Sequence, residues 1–243
     1  LGDYNNFKNA GNYDNDSIDV TMLTNDPIVN IIENRGIHIF TSGGEWSTNE
    51  DLRPDGIAIT PNTKNGSYSQ VVPVIISGTV CYIEKNRRSL LSYVYDYNQA
   101  SYVSNNLSLF TDLIQKPISM DVEINSSEDK GDFIYLVLDD GTALVCCVVL
   151  DQNIMSISKI VVNGKIVDVC CLKDETYFLV ERDGLHYIEK IDEVYTDFTR
   201  KVYMSGNEIS GLSDFNGNYI YIYNNEKDYV KKYYVTSGTV DLD

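Results

Sequence analysis

The feature that most limits the fold is a unit that recurs along the chain, clearest at Phe133 to Leu150, FIYLVLDDGTALVCCVVL. It reads as an apolar strand, an Asp-Gly turn and a second apolar strand, since Asp139-Asp140-Gly141 supplies the positive φ that a tight hairpin needs. Neither run has a helical spacing of apolar residues, and both are rich in the β-branched and aromatic types that suit a buried pleated surface. Gly36–Phe40 with Glu45–Ser47, Val80–Glu84 with Leu90–Tyr95, Tyr177–Val180 with Leu185–Ile188, and Tyr219–Tyr223 with Tyr229–Val235 repeat the pattern. A short β-branched segment precedes each hairpin, and steps of 43, 47, 48 and 43 residues separate Ile28, Val71, Ile118, Ile166 and Ile209. A period in the forties with three or four strands per unit predicts an all-β fold, a β-propeller of five blades of three to four antiparallel strands. The blades start near 28, 71, 118, 166 and 209 within a propeller domain spanning 17–243, behind an irregular N-terminal segment, 1–16.

Further elements follow from local pattern. Ser17–Leu23 alternates as one strand, placed to close the ring by pairing with Thr239–Leu242 and so to cover an open edge. Outer strands are expected at Ile57–Thr60, Ile157–Val162 and Thr199–Met204. Tyr102–Leu113 departs from the repeat: apolar residues at Leu107, Phe110, Leu113 and Ile114 predict a short helix. The chain opens on Leu1 and stops at Asp243, which leads us to expect a piece of a longer protein.

Charge and cysteine narrow the function classes. With 36 acidic and 19 basic residues the formal net charge is −17, which disfavours a surface that grips nucleic-acid phosphates or an anionic membrane. No apolar run approaches the length of a membrane span. Cys81, Cys146, Cys147, Cys170 and Cys171 sit in or beside predicted strands, where vicinal residues face opposite ways and cannot share a metal. They are read as small buried hydrophobes in a reducing compartment.

Candidate chemistry is sparse. Some sugar hydrolases carry carboxylates on the inner strands of a five-bladed propeller, and the reaction needs two acids set across the scissile bond. Asp121, Asp168 and Asp214 are the candidates here. Asn30, Asp121 and Asp168 fall at nearly equivalent places in their repeats, a recurrence more easily explained by polar side chains satisfying backbone groups near the channel mouth than by catalysis. Asp14, Asp16 and Asp19 are spaced closely enough to raise a calcium loop, but lack its Gly and closing Glu, so an acidic turn is the reading. His38 and His186 occupy comparable hairpins with no activated nucleophile nearby and are read as ordinary strand residues. No phosphate-binding glycine loop is present. The expectation is a protein without catalytic, cofactor or metal residues.

One set of segments is more specific. Tyr4-Asn-Asn-Phe7, Ile18–Leu23, Phe40-Thr-Ser-Gly-Gly-Glu-Trp46, Ile59-Thr-Pro-Asn62, Gly66-Ser-Tyr68, Val72-Pro-Val74, Gly78–Ile83 and Tyr95–Leu107, with Tyr102-Val and Asn106-Leu, follow one another in order. This order resembles the nozzle proteins of short-tailed bacteriophages, also called tubular tail protein B or head-to-tail stabilisation proteins. The match covers roughly residues 4 to 113, and its signature positions are Ser42, Gly43, Gly44, Glu45, Trp46, Pro61, Asn62, Tyr102 and Asn106. Family members often carry a basic run where this chain has only Thr63-Lys64-Asn65, which predicts a different local contact. The resemblance implies a non-enzymatic tail component of the virion, assembled in the host bacterial cytoplasm. It implies a homohexamer with adaptor and fibre proteins as partners, and DNA passing through without specific binding. Two alternatives stand beside it: a five-bladed carbohydrate-active enzyme or lectin, and a propeller that binds other proteins.

Overall fold

The computed structural model describes residues 17–49, 52–53, 56–125, 131–149, 154–191, 202, 206–223 and 229–242. The protein is nearly all β, built from antiparallel sheets. It divides into two compact units, 1–191 and 192–243.

In the first unit, consecutive strands pair with their sequence neighbours. The first sheet comprises β1 (Ile28–Glu33), β2 (Ile37–Thr41), β3 (Glu45–Thr48) and β4 (Ile59–Thr63); the second comprises β5 (Val74–Ile76), β6 (Thr79–Ile83), β7 (Leu90–Asp96) and β8 (Ser101–Asn106). The third comprises β9 (Pro117–Glu123), β10 (Asp132–Leu138), β11 (Ala143–Val149) and β12 (Ile154–Ile160). The fourth comprises β13 (Lys165–Leu172), β14 (Glu175–Arg182) and β15 (Leu185–Lys190). The expected outer strand at Thr199–Met204 lies outside the described residues, apart from Val202.

The two-residue period explains how these sheets join. Along β10, Ile134, Leu136 and Leu138 face one way and pack with Cys81, Ile83 and Leu90 of the second sheet; Tyr135 and Val137 face the other way and pack with Ile166, Phe178 and Val180 of the fourth. An unbroken apolar run is therefore what a strand covered on both faces requires. Phe40 with Tyr82 and Tyr93 closes the seam between the first two sheets. Each such fully buried side chain contributes roughly 1.5–3 kcal/mol.

The hairpin turns bind each sheet to the next. Ser67 N–H donates to the Thr41 carbonyl (2.9 Å), Lys116 N–H to that of Arg87 (3.0 Å), and Ile166 N–H to that of Gly141 (2.8 Å). In the Asp139–Thr142 turn only Gly141 has positive φ (82°), whereas Asp183 and Gly184 both do (50° and 77°), as a type I′ hairpin needs.

Several expectations are corrected. Residues 17–23 form no strand: Ile18 and Leu23 are exposed, and none of the described strands pairs with the segment. Tyr102–Leu113 is not helical. It is β8 followed by turns, because the Asn106 side chain accepts from Ser108 N–H (2.9 Å) and Ser108 Oγ caps Leu90 N–H (2.9 Å), so local side-chain bonds displace a helical ladder.

In the second unit, β16 (Glu208–Ile209) pairs with β19 (Val240–Asp241), and β17 (Tyr219–Tyr223) with β18 (Tyr229–Tyr234). The chain's end thus joins β16 rather than 17–23. Gly211, at φ 75°, turns the chain into a 3₁₀ turn at Ser213–Phe215, so the segment expected to run on beside β17 ends after two residues. Ile209, Leu212, Val235 and Val240 form this unit's core. Among the described residues no helix is long and apolar enough to cross a membrane.

Candidate functional site

The seam between the first two sheets holds the densest buried polar cluster. Alternation along β2 and β3 aims His38, Phe40, Glu45 and Ser47 at the second sheet, and alternation along β6, β7 and β8 aims Tyr82, Tyr93, Tyr102 and Ser104 back at them. Glu45 is wholly buried. Its Oε2 accepts from the Thr63 hydroxyl and from Asn65 N–H (3.3 Å), while Oε1 has no partner among the described residues. Desolvation raises the pKa of its carboxyl, and the bonds from Thr63, Asn65 and Tyr82 only partly oppose this. Nearby, Asn65 Nδ2 donates to the Tyr82 hydroxyl (3.2 Å), which also contacts Ser104 Oγ (2.9 Å). Asn62 Nδ2 donates to Ser47 Oγ (2.9 Å) and to the Tyr93 hydroxyl (2.7 Å).

His38 adds an aromatic corner to this cluster. Its Nε2–H donates to the Asn34 carbonyl (2.6 Å), while burial lowers its pKa and leaves Nδ1 without a partner among the described residues. The ring stands edge-on to Tyr93 (5.4 Å) and Tyr102 (4.6 Å), which stack on each other at 5.0 Å. Burial also raises the pKa of the Tyr82 and Tyr93 hydroxyls, with the Glu45 charge adding to the effect, so both remain neutral. An uncharged imidazole, two neutral phenols and a carboxyl with no cation among the described residues make a buried hydrogen-bonded network.

The glycines of the signature set have steric roles. A Cβ on Gly44 would lie 2.5 Å from the Thr63 carbonyl oxygen, and one on Gly43 would lie 2.1 Å from an Asp26 carboxylate oxygen. Thr41 Oγ1 accepts from Gly44 N–H (3.0 Å) and closes the turn that delivers Glu45 into the seam. Gly44, Glu45, Asn62 and Tyr102 therefore converge. Trp46 lies on the opposite face of β3, between Ile39 and Pro61. Pro61 is exposed on β4, Ser42 lies in the turn against Gly66, and Asn106 serves the turn after β8.

The carboxylates on the first strands of the third and fourth sheets act as staples. Asp121 Oδ2 accepts from Cys171 N–H (2.7 Å), Asp168 Oδ1 from Ser119 Oγ (2.5 Å) and Val169 N–H (2.9 Å), and Glu123 Oε2 from Thr176 Oγ1 (2.6 Å) and the Tyr135 hydroxyl (3.1 Å). Asp214 belongs to the second unit's 3₁₀ turn. Asn30, at the equivalent place in β1, has its amide nitrogen buried without a partner among the described residues. His186 is exposed on β15.

Asp14 and Asp16 lie outside the described residues, and Asp19 is exposed. Among the described residues no group of three or more His, Cys, Asp or Glu is placed to hold a metal. Cys81 and Cys146 are buried, with thiols pushed up to about 12 by desolvation, whereas Cys170 is exposed, contrary to the expectation that all five are buried.

Sequence reasoning missed Thr63, Asn65, Tyr82, Tyr93 and Ser104; His38 lies on a strand as read, within this cluster. The alternation of Tyr82 with Cys81 and Ile83 was the available signal. No family model matches the chain, and no curated protein matches it.

Proposed function

We propose that the four sheets of the first unit and the strands of the second are the blades of a five-bladed β-propeller. We further propose that the chain is a non-enzymatic part of a short-tailed bacteriophage tail, contributing to the nozzle through which DNA leaves. The reading is carried by one observation: Gly44, Glu45, Asn62 and Tyr102, four positions of the nozzle-like signature, meet in one buried seam. Residues scattered over sixty positions of sequence meet there for a steric or hydrogen-bonding reason that the fold supplies.

The meander order within each sheet, and the lead strands β5, β9 and β13 lying side by side, support a blade arrangement. The net charge of −17 suits a conduit that does not hold phosphate. Asp121 Oδ2 and Asp168 Oδ1 each make a cross-sheet bond, which favours the staple over the glycosidase alternative.

Mass spectrometry of purified phage particles carrying this chain, counting it against the portal protein, tests the assignment. About half the portal's copy number supports a sixfold tail component. Absence from the particles overturns it.

A further inference from the structure

Acidic as the chain is, its charge reverses locally. Between Gly56 and Tyr95 the only acid is Glu84, against Lys64, Lys85, Arg87 and Arg88, in a chain of net charge −17. Three of these cations lie on the turn between β6 and β7, where the Arg87 guanidinium sits over the Tyr68 ring at 5.5 Å.

The segment from Leu107 to Lys116, which leads from β8 to β9, is fastened beside this turn. Leu107 N–H donates to the Leu90 carbonyl (2.9 Å) and Lys116 N–H to that of Arg87 (3.0 Å). Ile114 is buried in the core shared by the second and third sheets. Between these anchors Thr111 N–H donates to the Ser108 carbonyl (3.2 Å) and Leu113 N–H to Thr111 Oγ1 (3.2 Å). Yet the tip is apolar and turned outward: Phe110 is 98% exposed, Leu109 65% and Leu113 39%.

The charges around the tip leave a positive excess. Lys85, Arg87, Arg88 and Lys116 stand against Glu84, Asp112 and Asp139. Glu84 accepts from the Asn86 side chain (2.5 Å), Asp139 lies 3.8 Å from Lys116 Nζ, and Asp112 is exposed on the tip itself.

We propose that this loop is a membrane anchor. Phe110, with Leu109 and Leu113, enters the interface of an anionic phospholipid bilayer, while Arg87, Arg88 and Lys85 meet its phosphates. A ring that touches almost nothing of its own chain needs a matching cavity in a protein partner, but a bilayer interface takes it without one. Bonds already hold the loop in place, so entry orders little further chain. Arginine stems lie along apolar surface while their planar heads pair with phosphate. The acidity of the rest of the chain does not forbid this contact, because charges farther than about 10 Å are largely screened at about 0.1 M salt. The inference stands apart from the tail assignment, since it rests on this loop alone.

Cosedimentation of the whole chain with phosphatidylcholine vesicles tests it, with and without about 30 mol % phosphatidylglycerol, at about 0.1 M salt. The wild type is expected to pellet with the anionic vesicles and far less with the neutral ones. Phe110→Ser and Arg88→Glu should each weaken binding at least about tenfold, and Asp112→Asn should strengthen it, all with unchanged circular dichroism. Tryptophan emission of Phe110→Trp should shift to the blue when anionic vesicles are added, whereas the wild type, whose one tryptophan is Trp46, should not shift. A wild type that leaves the vesicles unbound, Phe110→Ser that binds equally, or an unshifted Phe110→Trp would each overturn the proposal. So would a Phe110 tip that joins copies of the chain to one another and ignores the vesicles.

Discussion

Glu45→Gln isolates the electrostatic cost built into the first seam. In the folded chain the carboxyl is wholly buried, holds Thr63 and Asn65 through one oxygen, and faces no cation among the described residues. Its pKa is raised, so the folded state keeps the proton at pH values where the unfolded chain has lost it. The stability this supplies is complete below the ordinary carboxylate pKa and is lost as pH rises through the folded value; above that the curve is flat. Glutamine keeps an acceptor for Thr63 and Asn65 but carries no charge.

Leaving a buried polar group unsatisfied costs about 1–3 kcal/mol, and more when it is charged. The variant should therefore gain about 1–2 kcal/mol at pH 8 and nothing at pH 4. For a chain of this size that is roughly 2–4 °C in Tm per kcal/mol. Urea unfolding of both proteins at pH 4, 6 and 8 reads the difference. Parallel stability curves across that range, or a loss at pH 8, would refute the argument that an uncompensated carboxyl sits in the seam.

Three other outcomes are expected. Gly44→Ala should destabilise by about 1–3 kcal/mol in denaturant melts, because its Cβ meets the Thr63 backbone, whereas Gly43→Ala meets only the movable Asp26 side chain and should cost less; equal costs would contradict this. Leu136→Ala should cost about 2–5 kcal/mol in the same assay, since Leu136 is fully buried between the second and third sheets, and a loss below 1 kcal/mol would place that core elsewhere. Maleimide labelling near neutral pH should modify Cys170 first and leave Cys81 and Cys146 untouched until denaturant is added, because those thiols are buried and pushed up to about 12; early labelling at Cys81 would contradict it.

The strands were legible wherever a segment is covered on both faces. The run FIYLVL announces β10 because six such residues, rich in β-branched and aromatic types and bounded by a turn, fit a strand covered on both faces, and Asp183-Gly184 announces its turn because both positions need positive φ. Legibility failed where a local bond or a distant partner decides. Asn106 and Ser108 redirect a stretch whose apolar spacing reads as helix, and Gly211 diverts the fifth repeat so that β16 pairs with the chain's last strand. Ser17–Leu23 alternates correctly yet pairs with none of the described strands.

The seam was half legible. Gly44 and Glu45 stood out in the signature, but Tyr82, Tyr93 and Ser104 become their neighbours only through face-to-face packing, which no local pattern encodes. His38 lies on a strand as read, but its place between a carbonyl and two tyrosine rings is not visible in sequence for the same reason.

Cryo-electron microscopy of the tail of the phage particle tests the central proposal most directly. The account predicts six copies around the DNA channel, each with its blades closed into one five-bladed ring and Glu45 enclosed between the first two. Tail density without this chain, or with its sheets in an open arrangement, would contradict it.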